Sequence, residues 1–405
     1  MALRACIGKH LLSGLFNRLY KIPKAINGVQ VAHISGKLNR IQRIRPPPFP
    51  YRKKKYTSFQ LLEPTIERYD ENSKIIVVEG PIAAGKDKFA RELAKELEMG
   101  YMPAPSFDLI YKNAYGFDLR SYNSQLPKRL RFTDEKTFLT DPKHPNMGAF
   151  QITYYLLKFN AYLESLLHLL STGEGVVLNR CAYSDFVFME AMYKSGYVNR
   201  ESRRCYKTVV ESTIGCCKRP SLVIYLDIPV NVVKEKIQKR ALPYEVNSEV
   251  LTTKYLTDIE TAYKEYYLPE ISDHAYLLMY DWTNGGNVED VIDDIEKIEF
   301  DSDIKNPDKE KDWTFLNLSD LEEKRQLYDH VNRPYILSES ARYMNEFPEM
   351  LYIGEDAERL YDLINSSPGS EYSEGYNPSM GDKVLWKTNF ECAPYIPVVI
   401  SNKDL

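Results

Sequence analysis

The sequence has no run of about 18 apolar residues, which is the shortest stretch expected to cross a bilayer as a helix. It therefore predicts a chain without a membrane-spanning helix. Cysteine is sparse, with six residues in 405, and none forms a Cys-x-x-Cys pair or stands near histidine at zinc-site spacing. We interpret all six as reduced thiols and predict no metal site. Iron–sulfur spacing and the Rossmann glycine fingerprint are missing too, which disfavours redox chemistry by this chain.

Acidic residues are missing from the first 62 positions, where 13 Lys and Arg stand; the remainder carries 40 basic and 57 acidic side chains. Five apolar residues of this basic head share one helical face: Leu11, Leu12, Leu15, Phe16 and Leu19. An acid-free amphipathic segment predicts a mitochondrial presequence over residues 1–45, cleaved between Asn27 and Arg45. The alternative is a disordered basic tail or a nucleic-acid arm. The apolar stripe disfavours it, and we predict no nucleic-acid partner.

Residues 46–73 are predicted to form a basic, proline-rich arm. The prolines from position 46 to position 50 exclude a helix and favour an extended chain. The four basic residues from Arg52 to Lys55 then predict contact with an acidic partner or an anionic lipid surface. A solvated linker is an equally good interpretation of this run.

A run of four apolar residues, a glycine-containing loop and a helical run follow one another directly. The spacing of Gly80, Gly85 and Lys86 fits the phosphate-loop pattern G-x-x-x-x-G-K, with Ala84 inside the loop. Glycines let the backbone N–H groups turn toward a phosphate, and the helix N-terminus adds positive potential. Lys86 would reach the outer phosphates. A tight turn that binds nothing is the alternative.

Three positions depart from an ordinary phosphate loop. The residue after the lysine, usually a Ser or Thr whose hydroxyl holds Mg²⁺, is Asp87, whose carboxylate would repel phosphate oxygens. Pro81 removes one backbone N–H from the loop. Lys88 would replace part of the lost metal charge. The loop therefore marks a fold, while retained nucleotide binding remains an open alternative.

Strand signals alternate with helical signals from residue 74 to residue 300. This alternation predicts an α/β domain, with a parallel five-stranded sheet covered by helices on both faces and ligands at the carboxyl ends of the strands. Beyond the first, the predicted strands are Met99–Met102, Gly175–Asn179, Leu222–Leu226 and Tyr276–Tyr280. The predicted helices are Lys86–Leu97, Phe150–Leu170, Ala182–Tyr193, Tyr206–Cys217, Val230–Arg240, Ser248–Tyr267 and Glu289–Glu299.

Residues 301–405 are predicted to form an irregular C-terminal extension. Ser302–Asp312 is a charged linker in this interpretation, followed by short helices at Glu322–His330 and Ala357–Leu363. The final segment, Ser366–Leu405, is rich in Gly, Pro, Ser and Tyr. Its aromatic residues lack a period and predict a tail that packs on the chain's own body or on a neighbouring protein.

Residues 74–300 resemble the deoxyribonucleoside kinase family, which transfers the γ-phosphate of ATP to a deoxynucleoside 5′-hydroxyl. The resemblance is clearest at Tyr183–Met192 (YSDFVFMEAM) and Leu222–Pro229 (LVIYLDIP). Near the end, Tyr372–Asn377 and Gly381–Lys383 make the whole chain similar to the nucleoside-kinase-like accessory subunits of respiratory complex I. Ordinary kinases of the family stop near residue 300.

The resemblance implies a catalytic site that has lost most of its supports. The family's Pro-Glu-Pro motif carries the general base, and this chain has Ala104 there, with Asp108 as a nearby substitute. The family's Glu/Asp-Arg-Ser motif keeps its arginine as Arg180, but its carboxylate is replaced by Asn179. The Arg-rich lid is thinned and retains Arg240.

One binding residue of the family is retained. Gln151 stands where the family's glutamine reads the edge of the base through a pair of hydrogen bonds. A buried glutamine must find partners, so it holds either a base or a protein group. A solvent-facing glutamine is the third interpretation.

The resemblance as a whole implies a non-catalytic accessory subunit of mitochondrial complex I. It would support assembly or stability of the oxidoreductase, lying peripherally on the matrix side of the inner membrane against the membrane arm. It would need no cofactor. One alternative is an active mitochondrial deoxynucleoside kinase. Another is a regulatory subunit that holds ATP, ADP or a deoxynucleotide without turnover, through Gly80, Gly85, Lys86, Arg180 and Gln151.

Overall fold

A computed structural model describes most of the chain. It covers residues 33–40, 44–54, 64–300, 309–313, 318–330 and 353–382, with the short pieces 332–334, 336, 347, 349, 351 and 399–401. The predicted presequence stripe and the aromatic residues after position 382 lie outside these ranges. No helix in the described ranges combines the length and the apolar character needed to cross a bilayer.

The domain is built on a sheet whose five strands all run parallel. The strands are β1 (Ile75–Glu79), β2 (Gly100–Met102), β3 (Val176–Asn179), β4 (Leu222–Asp227) and β5 (Tyr276–Asp281), in the order β2-β3-β1-β4-β5. Every residue of the first three strands is buried. A parallel strand covered on both faces is a continuous apolar run, which is why the five predicted strands are confirmed to within one residue at each end.

Thirteen helices of the described residues are numbered along the chain. They are α1 (Lys86–Glu96), α2 (Asp108–Tyr111), α3 (Glu135–Thr140), α4 (Met147–Thr172), α5 (Phe186–Lys194), α6 (Arg200–Thr213), α7 (Val230–Arg240), α8 (Pro243–Val246), α9 (Thr253–Ala262), α10 (Leu268–Ser272), α11 (Val288–Glu296), α12 (Leu318–Tyr328) and α13 (Gly354–Asn365). A π-helical turn, Tyr263–Tyr267, joins α9 to α10. The predicted Ser248–Tyr267 helix is therefore shorter at its start and changes its hydrogen-bond period at its end.

The two faces of the sheet carry two separate apolar clusters. Ile75 and Val77 of β1 point to the face that α4 covers, whereas Ile76 and Val78 point to the face that α1 covers. This alternation follows from the period of two along a strand. Helix α4 is buried along nearly its whole length, so it acts as a second central element beside the sheet.

The described parts of the C-terminal extension return to the domain. Ile400 pairs antiparallel with Tyr101 of the edge strand β2, with N···O distances of 2.8 and 2.9 Å. Glu349 accepts hydrogen bonds from the N–H groups of Gly148 and Ala149 at the start of α4, at 2.9 and 3.1 Å. These residues close one edge of the sheet and one end of its longest helix.

The predicted N-terminal arm also contacts α4 and the extension. The Tyr51 hydroxyl lies 2.9 Å from Nδ1 of His168 on α4, and the Tyr51 ring stacks on His330 with centroids 6.3 Å apart. Arg52 donates to the carbonyl of Val399 at 2.6 Å. The predicted arm and the C-terminal extension therefore meet on the domain.

Candidate functional site

The loop between β1 and α1 has the backbone shape that its glycines permit. Gly80 has φ +146° and Gly85 has φ +79°, a range that side chains rarely allow. A Cβ on Gly80 would lie 2.7 Å from the carbonyl oxygen of Leu226, so only glycine fits there. Gly85 begins α1, and no side chain caps that helix start. The first-turn N–H groups therefore have no side-chain acceptor of their own.

Lys86 lies folded over this loop. Its side chain is buried, and its Nζ donates to the carbonyl oxygen of Pro81 at 2.5 Å. Burial lowers the pKa of Lys86 well below its usual value, and the nearby guanidinium of Arg180 lowers it further. Within the described part of the chain no carboxylate forms an ion pair with this ammonium. An anion at the loop would supply the missing negative charge.

The next two residues of α1 do not join the loop. Asp87 accepts a hydrogen bond from the Tyr101 hydroxyl at 2.5 Å and pairs with Arg91 at 3.4 Å. The Lys88 side chain is 83% exposed and lies 3.8 Å from Glu92, one turn along. Asp87 is therefore not placed to hold a metal ion at the loop, and Lys88 is not placed to replace the charge of one.

Arg180 joins the loop from the carboxyl end of β3. Its Nη2 donates to the carbonyl oxygen of Gly80 at 3.0 Å, and its guanidinium lies 4.5 Å from the centre of the Phe188 ring. The residue itself has φ +68°, an uncommon value for a non-glycine residue, typical of functional loops. Lys86 and Arg180 thus bring two cations to one loop.

Gln151 belongs to a buried polar cluster beside Phe188. Its Nε2 donates to Oδ2 of Asp185 at 2.9 Å, and the same carboxylate accepts from Lys158 at 2.5 Å and from Tyr206 at 2.8 Å. All four side chains are buried. The solvent-facing interpretation of Gln151 is wrong, because this glutamine has a protein partner. The Lys158 ammonium lies 4.7 Å from the Phe188 ring, so one ring contacts cations of both the cluster and the loop.

Sequence reasoning missed Glu79, the last residue of β1. This carboxylate is fully buried and accepts hydrogen bonds from Ser184 Oγ at 2.6 Å, Tyr263 at 2.9 Å and the N–H of Cys181 at 3.2 Å. It fastens the segment after β3 to the strand that leads into the loop. The available signal was an acidic residue ending an otherwise apolar strand, directly before Gly80.

The position where the resemblance predicts a general base carries no carboxylate. Ala104 stands two residues after β2 and offers no acceptor side chain. Asp108, the proposed substitute, pairs with Lys112 at 2.7 Å and with Arg120. The hydrogen bond from Lys112, and after it the one from Arg120, hold the pKa of Asp108 below its usual value, so this carboxylate is a weak base.

The residues predicted to form a thinned lid lie on α7. Arg240 donates from Nε to Oε2 of Glu245 at 2.9 Å, and Lys236 donates to the carbonyl of Trp282 at 3.1 Å. The charge of Arg240 nevertheless contributes to the low pKa of Lys86, so it lies within electrostatic reach of the loop. Among the described residues, no group of three His, Cys, Asp or Glu side chains is arranged to hold a metal ion.

A glycine loop with a buried lysine, set between a central parallel strand and a helix, defines a P-loop protein of the nucleoside kinase type. The family model for deoxynucleoside kinase matches residues 76–309, and the chain belongs to this family. Deoxyguanosine kinase of Dictyostelium discoideum is 24% identical over 238 residues, which cover 58% of this chain and 73% of that one.

More similar relatives match a longer part of the chain. NADH dehydrogenase [ubiquinone] 1 alpha subcomplex subunit 10, mitochondrial, of Mus musculus is 34% identical over 329 residues, covering 80% of this chain and 86% of that one. The Bos taurus protein of the same description is 30% identical over 334 residues, covering 81% and 91%. The chain therefore also belongs to this subunit 10 family.

Proposed function

We propose that the chain is a non-catalytic accessory subunit of mitochondrial complex I. It lies peripherally on the matrix side of the inner membrane, against the membrane arm, and supports assembly or stability of the oxidoreductase. Membership of the subunit 10 family supports the partner. The observation that supports the loss of catalysis is Ala104, beside an Asp108 already paired with two cations.

Two other departures from the kinase pattern, at positions 87 and 179, also weaken phosphoryl transfer. Phosphoryl transfer depends on positioned charges, and loss of a general base alone typically slows a reaction by about 10²–10⁴-fold. Asp87, which replaces the metal-binding hydroxyl, is bonded to Tyr101 instead of facing the loop. Asn179 replaces a carboxylate at the end of β3. The remaining cations can hold phosphate without activating a nucleophile.

A native gel of gently solubilised mitochondria tests the partner. The gel is probed for this chain and stained for NADH dehydrogenase activity. We expect the chain to co-migrate with the active band. Migration only as a free monomer or dimer would contradict the proposal and favour a separate kinase.

Restoring the base is expected to restore no kinase activity. Purified chain should show no transfer of phosphate from ATP to deoxynucleosides, and Ala104→Glu should not change this, because the hydroxyl at position 87 and the carboxylate at position 179 are missing too. The measurement is transfer of labelled γ-phosphate, with Ala104→Gln as the matched control. A gain of about 10²-fold or more in Ala104→Glu over Ala104→Gln would instead support the active kinase.

A second function, nucleotide binding without turnover, is favoured by Lys86. A buried ammonium with no ion-pair partner in the described residues sits beside Arg180, on a loop of phosphate-binding shape. Lys158 of the polar cluster around Gln151 contacts the same Phe188 ring as Arg180 does. We propose ATP, ADP or a deoxynucleotide as the ligand class.

Nucleotide is therefore expected to raise the melting temperature of the chain. Ligand at about 100 times its Kd stabilises the folded state by about 2.7 kcal/mol. Mg²⁺ should be unnecessary because Asp87, which stands where the metal-binding hydroxyl is expected, is hydrogen-bonded to Tyr101. Lys86→Met should abolish the rise, and the exposed Lys88→Met serves as the matched control that keeps it. No rise with millimolar dATP, dGTP or ATP would end this second proposal.

The same rise is expected to depend on pH. Burial lowers the pKa of Lys86 in the free chain, and a bound phosphate would raise it again. Binding then takes up a proton in the pH range between the two pKa values, so affinity falls as pH increases through that range. The measurement is the nucleotide-dependent shift in melting temperature at neutral and at alkaline pH. A shift that is equal at both would argue against Lys86 as the phosphate ligand.

A further inference from the structure

Helix α13 of the C-terminal extension has an apolar stripe that predicts burial. Ala357, Leu360, Tyr361 and Ile364 follow the spacing i, i+3, i+4, i+7, which is the pattern of a helix packed on a core. The structure places none of the residues of α13 in a buried position. Tyr361 is 68% exposed.

Polar contacts join the helix to the domain, and its Leu360, Leu363 and Ile364 are half-buried. Glu355, Glu358, Arg359 and Asp362 line a groove of about 670 Å³ against Tyr122 and Gln125 of the kinase-like domain. Arg359 donates to the carbonyl of Gln125 at 3.1 Å, and Asp356 pairs with Arg129. Ala357 and Tyr361, which lie one turn apart, are exposed, and Glu358 and Asp362 follow them directly on the helix.

The segment just before α13 enlarges the exposed apolar surface. Leu351 is 60% exposed and Ile353 is 61% exposed. The name outward stripe is used here for Leu351, Ile353, Ala357 and Tyr361, which are all exposed. A contiguous exposed apolar surface of this kind marks a protein or membrane contact.

We propose that the outward stripe is a docking site for another protein subunit, whose matching apolar strip is flanked by Lys or Arg. The charges beside the stripe favour a protein subunit over a lipid surface or a second copy of the chain. Glu355, Glu358 and Asp362 form no ion pair with any described residue, and Arg359 is the one cation among the described residues that line the groove. Helices that lie in lipid headgroups carry Lys and Arg instead, and the headgroups are anionic. A second copy would oppose the same carboxylates across a two-fold axis.

This inference rests on the proposed function, which supplies a multi-subunit assembly. The test uses the full chain, expressed in mitochondria in place of the endogenous protein, as wild type, as Tyr361→Ser and as the matched control Tyr266→Ser. Tyr266 is 56% exposed on the π-helical turn of the kinase-like domain. A central aromatic anchor is expected to change association about tenfold. Tyr361→Ser should therefore lower the fraction in the active band about tenfold, and Tyr266→Ser should not.

The melting temperatures of the purified variants separate docking from folding. Because both tyrosines are exposed, neither variant should melt measurably below wild type. Glu358→Lys, on the acidic side of the stripe, should also lower the assembled fraction. Wild type missing from the active band would refute the proposed function, whereas full assembly of Tyr361→Ser would overturn the outward stripe alone.

Two further results would also overturn the choice of occupant. In the first, the free chain binds anionic vesicles that contain cardiolipin, and Tyr361→Ser abolishes this binding. That result would assign the stripe to lipid. The second is a dimer of free wild-type chain, measured by light scattering, that Tyr361→Ser converts to monomer. Free wild-type chain that is monomeric and leaves the vesicles unbound supports the subunit contact.

Discussion

Replacing Asp185 with asparagine is expected to lower the free energy of unfolding by about 3–5 kcal/mol. Asp185 is completely buried and accepts hydrogen bonds from Lys158, Gln151 and Tyr206. Asparagine keeps the shape of the side chain but leaves the Lys158 ammonium as a buried charge without a counter-ion. Removing one partner of a buried ion pair destabilises the folded chain far more than replacing both partners with apolar residues does. The remaining ion then has neither water nor a counter-ion.

Urea unfolding of the purified chain measures this loss, and an exposed pair provides the control. Lys128 and Asp141 lie 2.6 Å apart, about as close as Lys158 and Asp185, but both are well exposed. Asp141→Asn should therefore change stability by less than about 1 kcal/mol. The double variant Lys158→Met with Asp185→Asn should recover part of the loss. Equal effects of Asp185→Asn and Asp141→Asn would contradict the role given to burial.

Replacing Glu164 with glutamine is expected to release the described part of the C-terminal extension from α4. Arg333 and Glu164 are both 2% exposed at their side chains, and their closest nitrogen and oxygen atoms lie 3.1 Å apart. Arg333 also donates to the carbonyl of Tyr328, while its Nε and Nη1 have no partner among the described residues. Without the carboxylate, the guanidinium is more stable in water, and it reaches water if α12 and the residues after it leave the domain.

Hydrogen exchange read along the chain distinguishes this release from global unfolding. Amides of residues 318–334 should lose most of their protection in Glu164→Gln, whereas amides of β1 and β4 should keep theirs, because stability differs between parts of a structure. The double variant Glu164→Gln with Arg333→Met should restore protection, since neither side chain then carries a buried charge. Unchanged exchange in residues 318–334 would show that the ion pair does not hold the extension.

The elements that the sequence predicted well are those whose signal is local. The run Leu222–Leu226 is apolar at every position, and a short run of this kind is typical of a buried parallel strand. Helix α7 was predicted with its observed bounds, Val230–Arg240, because Pro229 precedes it and its apolar spacing is helical. Gly80 and Gly85 were predictable for the same reason, since glycine adopts a positive φ without steric cost.

The elements that the sequence missed depend on weaker or more distant signals. Helices α2 and α3 have only four and six residues, and nothing predicted them. Helix α6 begins at Arg200 instead of Tyr206, because the Asn199 side chain accepts a hydrogen bond from the N–H of Ser202 and caps an earlier turn. Caps of this kind are single polar residues, and a prediction from apolar spacing does not detect them.

The sequence by itself determined the sheet and the phosphate-type loop, and it placed Ala104 where the resemblance predicts a base, because each depends on a residue or a short run. Only the tertiary structure decided what the polar groups do. It paired Lys158 with Asp185, 27 positions away, turned Asp87 toward Tyr101, and joined Gln151 to a carboxylate. A buried charge pairs with whichever group the packed chain brings within hydrogen-bond distance. Spacing along the sequence does not predict which groups come that close.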